Sequence, residues 1–178
     1  MWISIALLGL MSVGQAVTQQ AIPQLATPPQ GDVTLPPASA RVKATAVGLG
    51  VQVYRCAPKD GAYAWTLEMR EATLFDPATH QSVGTHGAGV TWNWSDGSAV
   101  EGKVLQERAS DVAGSIPWML LETHSTGAAS GELADVTLVR RSETQAGAAP
   151  ATGCDAVHQN NVLRVPYQAT YTFYTTGK

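Results

Sequence analysis

At 178 residues, with 14% of them charged and a formal net charge of -3, the chain has room for one ordinary domain. Its 11 Lys and Arg residues are scattered rather than clustered. That excludes a nucleic-acid binder, which needs cations gathered against phosphates, and an electrostatic grip on anionic membranes.

The first element is an apolar run, Trp2 to Val13. A spanning helix needs about 20 apolar residues, so the run reads as the core of a secretory signal peptide. Gly14-Gln15-Ala16 places small residues at a cleavage site, which gives a signal peptide over residues 1–16. No basic residue precedes the run, the first being Arg41, so an uncleaved anchor is the competing reading. No Cys follows the run directly, which excludes a bacterial lipoprotein.

Residues 17–40 carry Pro23, Pro28, Pro29, Pro36 and Pro37, with Asp32 as the only charge. Proline stops helices and central strands, so this stretch is expected to be an extended linker. A single domain then fills residues 41–178.

From there the hydrophobic period is two, the strand signature. Leu49, Val51 and Val53 alternate with Gln52 and Tyr54, and Tyr63, Trp65, Leu67 and Met69 alternate with Ala64, Thr66, Glu68 and Arg70. Val90, Trp92 and Trp94 share one face, as do Leu163, Val165, Tyr167, Ala169, Tyr171 and Phe173. Ile116 to Leu121 and Val136 to Val139 are apolar on both faces, which predicts burial on both sides. Asp60-Gly61 and Asp96-Gly97 signal hairpins, Gly127 to Gly131 a loop, and Gln106 to Val112 a short helix. The pattern predicts an all-β domain of many short antiparallel strands, a β-sandwich or a barrel-like fold.

Cys56 and Cys154 fit an oxidising, extracytoplasmic compartment, periplasmic or secreted. If bonded, they close a loop of about 100 residues, and two buried free thiols are the alternative. Neither lies in a Cys-x-x-Cys pair, so thiolate redox or zinc chemistry has no support.

An ordered series of segments carries a family resemblance: Gly50-Val51-Gln52-Val53-Tyr54-Arg55-Cys56; His86-Gly87-Ala88-Gly89-Val90-Thr91-Trp92 with Asp96-Gly97-Ser98; Ile116-Pro117-Trp118-Met119-Leu120-Leu121. Arg140-Arg141-Ser142-Glu143-Thr144, Ala149-Pro150, Gly153-Cys154-Asp155 and Arg164 to Tyr174 continue it. The series resembles the domain-of-unknown-function family numbered 3455, found in exported bacterial and fungal proteins. Val90 departs from a pattern that usually has proline there. The resemblance implies a secreted single domain and a Cys56–Cys154 disulfide, and supplies no catalytic residues. Some fungal members carry a malate dehydrogenase label. It does not transfer, because Gly48-Leu49-Gly50 leads into a strand, with no third glycine and no helix to hold a pyrophosphate.

His86, framed by Gly84, Gly87 and Gly89, is the best single candidate for chemistry, with Asp96 as a possible orienting carboxylate. Ser95, Ser98 and Thr91 are nearby hydroxyls, but there is no Gly-x-Ser-x-Gly elbow. Asp96-Gly97 is also explained by turn chemistry alone. His80, His86, His124 and His158 lack ligand spacing, so no metal site is assigned. Trp65, Trp92, Trp94 and Trp118 offer either a ligand platform or core, and period two favours core. Arg140 and Arg141 must point to opposite faces of a strand. One of them therefore approaches the interior, paired with Glu143, Glu122 or Asp155, or else forming an anion-binding cleft.

The sequence thus points to a secreted, non-enzymatic β-domain that binds an unidentified surface ligand, a carbohydrate or an envelope component. No cofactor is implied. The alternatives are an extracytoplasmic hydrolase centred on His86 and Asp96, and a metal-dependent protein.

Overall fold

The computed structural model describes residues 31–177. The expected signal peptide (1–16) and the first part of the expected linker (17–30) lie outside the described residues.

Eight strands run in chain order: β1 (Ala40–Lys59), β2 (Ala62–Phe75), β3 (Ser82–Gly87), β4 (Thr91–Trp94), β5 (Ala99–Arg108), β6 (Trp118–Ser125), β7 (Leu138–Ala146) and β8 (Val162–Thr176). Each pairs antiparallel with the next, and β8 returns to β1, so one sheet closes into a barrel. Closure removes the exposed edges that two-sheet sandwiches must protect. Of the two architectures the period-two pattern allows, the barrel is the one formed. Among the described residues no helix is long and apolar enough to cross a membrane.

The hairpin signals act as expected. Lys59 pairs with Ala62 around Asp60 and Gly61, whose φ of 50° and 81° make the twisted two-residue turn that antiparallel strands prefer. The short helix expected over Gln106–Val112 does not form. Gln106, Glu107 and Arg108 instead extend β5 and pair with Leu120, Met119 and Trp118. Cross-strand pairing satisfies their backbone groups, and tertiary context overrides local propensity.

Inside the barrel, Leu74, Trp92, Val100, Leu121, Val139, Ala169, Tyr171 and Phe173 form the core. The two-faced apolar runs are buried on both sides. Leu121 and Val139 point inward, while Leu120 and Leu138 join Tyr174 in a second cluster against Ala40. The segment before β1 settles on that outer face. Asp32 accepts bonds from Arg140 Nη2 (2.6 Å) and Arg108 Nε (3.1 Å), and Thr34 is fully buried. Both guanidiniums lie over the Trp118 ring, at 3.9 Å and 5.2 Å. The last part of the stretch read as linker is therefore docked on the barrel.

One face assignment inverts. Leu49 and Met69 are solvent-facing, while Gln52 is buried and Arg70 half-buried. The inner row of β1 is Ala46, Gly48 and Gln52, and of the aliphatic row only Val53, at the register shift, is buried. Tyr171 is the reason. It packs so closely over Gly48 that a Cβ there would lie 2.6 Å from its ring. A small residue on β1 is what lets a tyrosine from β8 fill the barrel.

Candidate functional site

Three in-register rows of side chains converge inside the barrel. Arg141 on β7 lies between Met119 and Tyr171. His86 on β3 lies between Ala72 and Trp92. Arg70 on β2 faces Gln52 on β1. Together they bound a cavity of about 60 Å³ lined by Arg70, His86, Val90, Trp92, Arg141 and Tyr171, with aliphatic side chains closing the rest.

The barrel wall is incomplete beside this cavity. β3 pairs with β2 only from Ala72 to Phe75, so β2 upstream of Ala72 has no neighbour on that side. A surface groove of about 510 Å³ fills the gap, floored by Leu49, Val51 and Met69. Arg70 and His86 belong to both spaces and form their shared wall. A single 3-10 turn, Ala88–Val90, lies alongside, with Val90 at φ 63°. A β-branched residue in that left-handed region costs about 1–2 kcal/mol.

His86 is 2% exposed, stacks on Trp92 at 4.6 Å and tilts against Tyr171 at 5.1 Å. Its Nδ1 is 2.7 Å from the Thr91 carbonyl, which can only accept. The proton therefore sits on Nδ1, and Nε2 carries the lone pair. Burial, reinforced by the charges of Arg70 and Arg141, pushes the imidazole down to about 3 against the opposing pull of the Thr91 bond. This histidine is neutral at physiological pH.

Arg141 is 7% exposed, and its Nε donates to the Pro117 carbonyl at 2.9 Å. Burial pulls its guanidinium down from the usual arginine range, yet arginine remains charged in proteins. The arginine ion pairs among the described residues engage Arg55, Arg108, Arg140 and Arg164, and neither Arg70 nor Arg141. Glu107 acts on Arg141 electrostatically, but it is exposed and two strands away. On the cavity lining Arg70 Nε and Trp92 Nε1 are buried with no partner, as is Nε2 of Gln52, the residue paired with Arg70 on β1. The Tyr167 and Tyr171 hydroxyls bond each other at 3.1 Å, and burial pushes both phenols up.

The structure gathers three of the sequence candidates here: His86, Trp92 and Arg141. It separates the others. Asp96 sits in the β4–β5 turn, accepting from Ser98 and from the Glu132 amide, so the His86–Asp96 pair does not form. Trp94 packs edge-on against Phe173 as core. Arg140 points outward to Asp32, a partner the sequence reading did not name. Among the described residues no group of three His, Cys, Asp or Glu side chains could hold a metal. Gly48 and Gly50 lie inside β1, so no dinucleotide turn exists.

Sequence reading missed Arg70 and Tyr171 as cavity residues. Their signal was the run of small residues on β1, which marks the face where large side chains from other strands enter.

Cys56 and Cys154 are bonded, 98 residues apart, which settles the alternative of free thiols. Tyr54 donates to the Gly147 carbonyl (2.7 Å) and Trp65 Nε1 to the Thr152 carbonyl (2.9 Å), fastening the β7–β8 connection over this end of the molecule.

Neither a comparison with curated proteins nor one with solved structures yields a match. A family model described as "Protein of unknown function (DUF3455)" matches residues 36–175, from the docked arm to the end of β8. The chain belongs to the DUF3455 family.

Proposed function

We propose that this protein is an exported binding module that takes a small molecule into the interior of its barrel, at or beyond the cell envelope. One observation carries the reading: Arg70 and Trp92 present buried, unpartnered polar atoms on the lining of a cavity that shares a wall with an open groove. Buried polar groups in folded proteins are almost always paired, so a ligand is the natural source of the missing partners. An eight-stranded barrel is just wide enough to be filled by side chains or to hold one small ligand, and here the side chains leave about 60 Å³. Export is supported by the apolar Trp2–Val13 run and by the Cys56–Cys154 disulfide.

The test uses the oxidised full chain, with thermal melting and tryptophan fluorescence against small carboxylates, phenols and simple sugars. At least one class raises the melting temperature and changes the fluorescence, and Trp92→Phe removes the fluorescence response. A screen without a hit, or a response indifferent to Trp92→Phe, overturns interior binding. Exported protein whose amino terminus is Val17 would support cleavage after Ala16.

A further inference from the structure

We infer that the cavity is the headgroup site for a small organic carboxylate, gripped by Arg70 and Arg141, whose apolar body lies along the groove of Leu49, Val51 and Met69. The inference rests on the interior-binding reading and adds the ligand's charge and shape.

Charge comes first. Two guanidiniums, Arg70 and Arg141, enter one barrel and pair with no carboxylate among the described residues. Burial disfavours the charge of Arg141, and the charge of Arg70 adds to that. Burying an unpaired charge is strongly unfavourable, and an anion between the two removes the penalty for both. A cation is excluded by the same field.

Hydrogen bonding agrees. The unpartnered atoms on residues lining the cavity, Arg70 Nε and Trp92 Nε1, are both donors, and so is Gln52 Nε2 on the residue paired with Arg70. Arg141 spends only Nε on Pro117, which leaves the rest of its planar fork for a second acceptor. A ligand that satisfies donors alone presents acceptor oxygens, and the guanidinium fork matches a carboxylate in two-bond geometry. The neutral His86 contributes a flat wall with Trp92 rather than charge.

Size sets the rest. A cavity of about 150 Å³ accepts benzene, so one of about 60 Å³ holds little more than the carboxylate group itself. The remaining atoms must leave past Arg70 and His86 into the groove. Leu49 and Met69 are 46% and 39% exposed there and give the groove an apolar stretch, while Glu71, which also lines it, is paired with Arg164.

The experiment titrates the oxidised full chain by calorimetry at pH 7 with octanoate and benzoate, and with octanamide and benzamide as neutral matches. Octanoate against benzoate distinguishes a flexible acyl body from a flat aromatic one. The expected result is that at least one acid binds tenfold or more tighter than its amide, and that Arg141→Met and Arg70→Met each bring the acid down to the amide's level. Should Arg141→Met fail to fold, the half-buried Arg70→Met carries the comparison. Equal affinity for acid and amide, with Trp92 fluorescence still responding, defeats the anion inference while interior binding survives. Acid binding that ignores both substitutions puts the ligand elsewhere and overturns the inference, as does the absence of binding by both acids.

Discussion

His86 keeps its proton on Nδ1 by donating to Thr91, and the surrounding barrel holds the ring at about 3. In the unfolded chain an imidazole titrates near 6.5. Between those two values the unfolded chain takes up a proton that the folded chain refuses. Stability from this residue is therefore complete above pH 6.5 and declines as pH falls toward 3, by about 1.4 kcal/mol per pH unit. Urea denaturation of wild type and His86→Phe between pH 7 and 4 measures it: the wild-type slope is steeper, and matching slopes would place the linkage elsewhere. The residue scale also shows which of the two sequence readings of His86 and Asp96 the fold takes up. A histidine among glycines, ten positions before an aspartate, looks like half of a catalytic pair. The antiparallel register seats it instead against Trp92, while Asp96 is consumed by its own turn.

Among the elements, the arm before β1 explains a pattern that was readable without its cause. Leu120 and Leu138 on the outer faces of β6 and β7 imply a cover, and nothing in the sequence says what supplies it. The cover is anchored by Asp32 between Arg108 and Arg140. Burial alone would raise the Asp32 carboxyl, but hydrogen bonds from Thr34 and Arg140 hold it at about 2. The anchor is thus intact above pH 3.8 and is lost as pH falls through 2. Asp32→Asn leaves Arg140 without its charge partner, at a cost of about 1–3 kcal/mol. Denaturant midpoints report the loss, and limited proteolysis reports faster cutting within residues 31–39. An unchanged midpoint and cutting rate would show that the arm is held by other contacts. β8 was readable in full, because Tyr167, Ala169, Tyr171 and Phe173 keep a single inward face. β1 was not, because its inner row is Ala46, Gly48 and the polar Gln52, and hydropathy alternation then reports the outer face.

For the whole molecule, an all-β class and strand-rich order follow from the periodicity, but closure does not. The pairing of β1 with β8 is the contact that turns a meander into a barrel, and it spans nearly the entire domain. The disulfide crosses a comparable distance, 98 residues. In the chain-entropy account a loop of that length stabilises by up to about 4.7 kcal/mol. Cys56→Ala with Cys154→Ala therefore lowers unfolding free energy by about 2–5 kcal/mol in denaturant titrations. Far-UV circular dichroism stays strand-like, since the barrel core lies elsewhere. A loss under 1 kcal/mol would mean that the unfolded chain gains little freedom from the cut.

The β1–β8 seam also sets an order of events. β8 supplies Tyr171 and Phe173 to the core and hydrogen-bonds both β1 and β7, so no shorter stretch of the chain has either a closed wall or a complete interior. A chain made from its amino terminus therefore stays open until β8 emerges, with β1 waiting for its last neighbour. On the proposed route of export, that seam is a built-in delay between synthesis and folding.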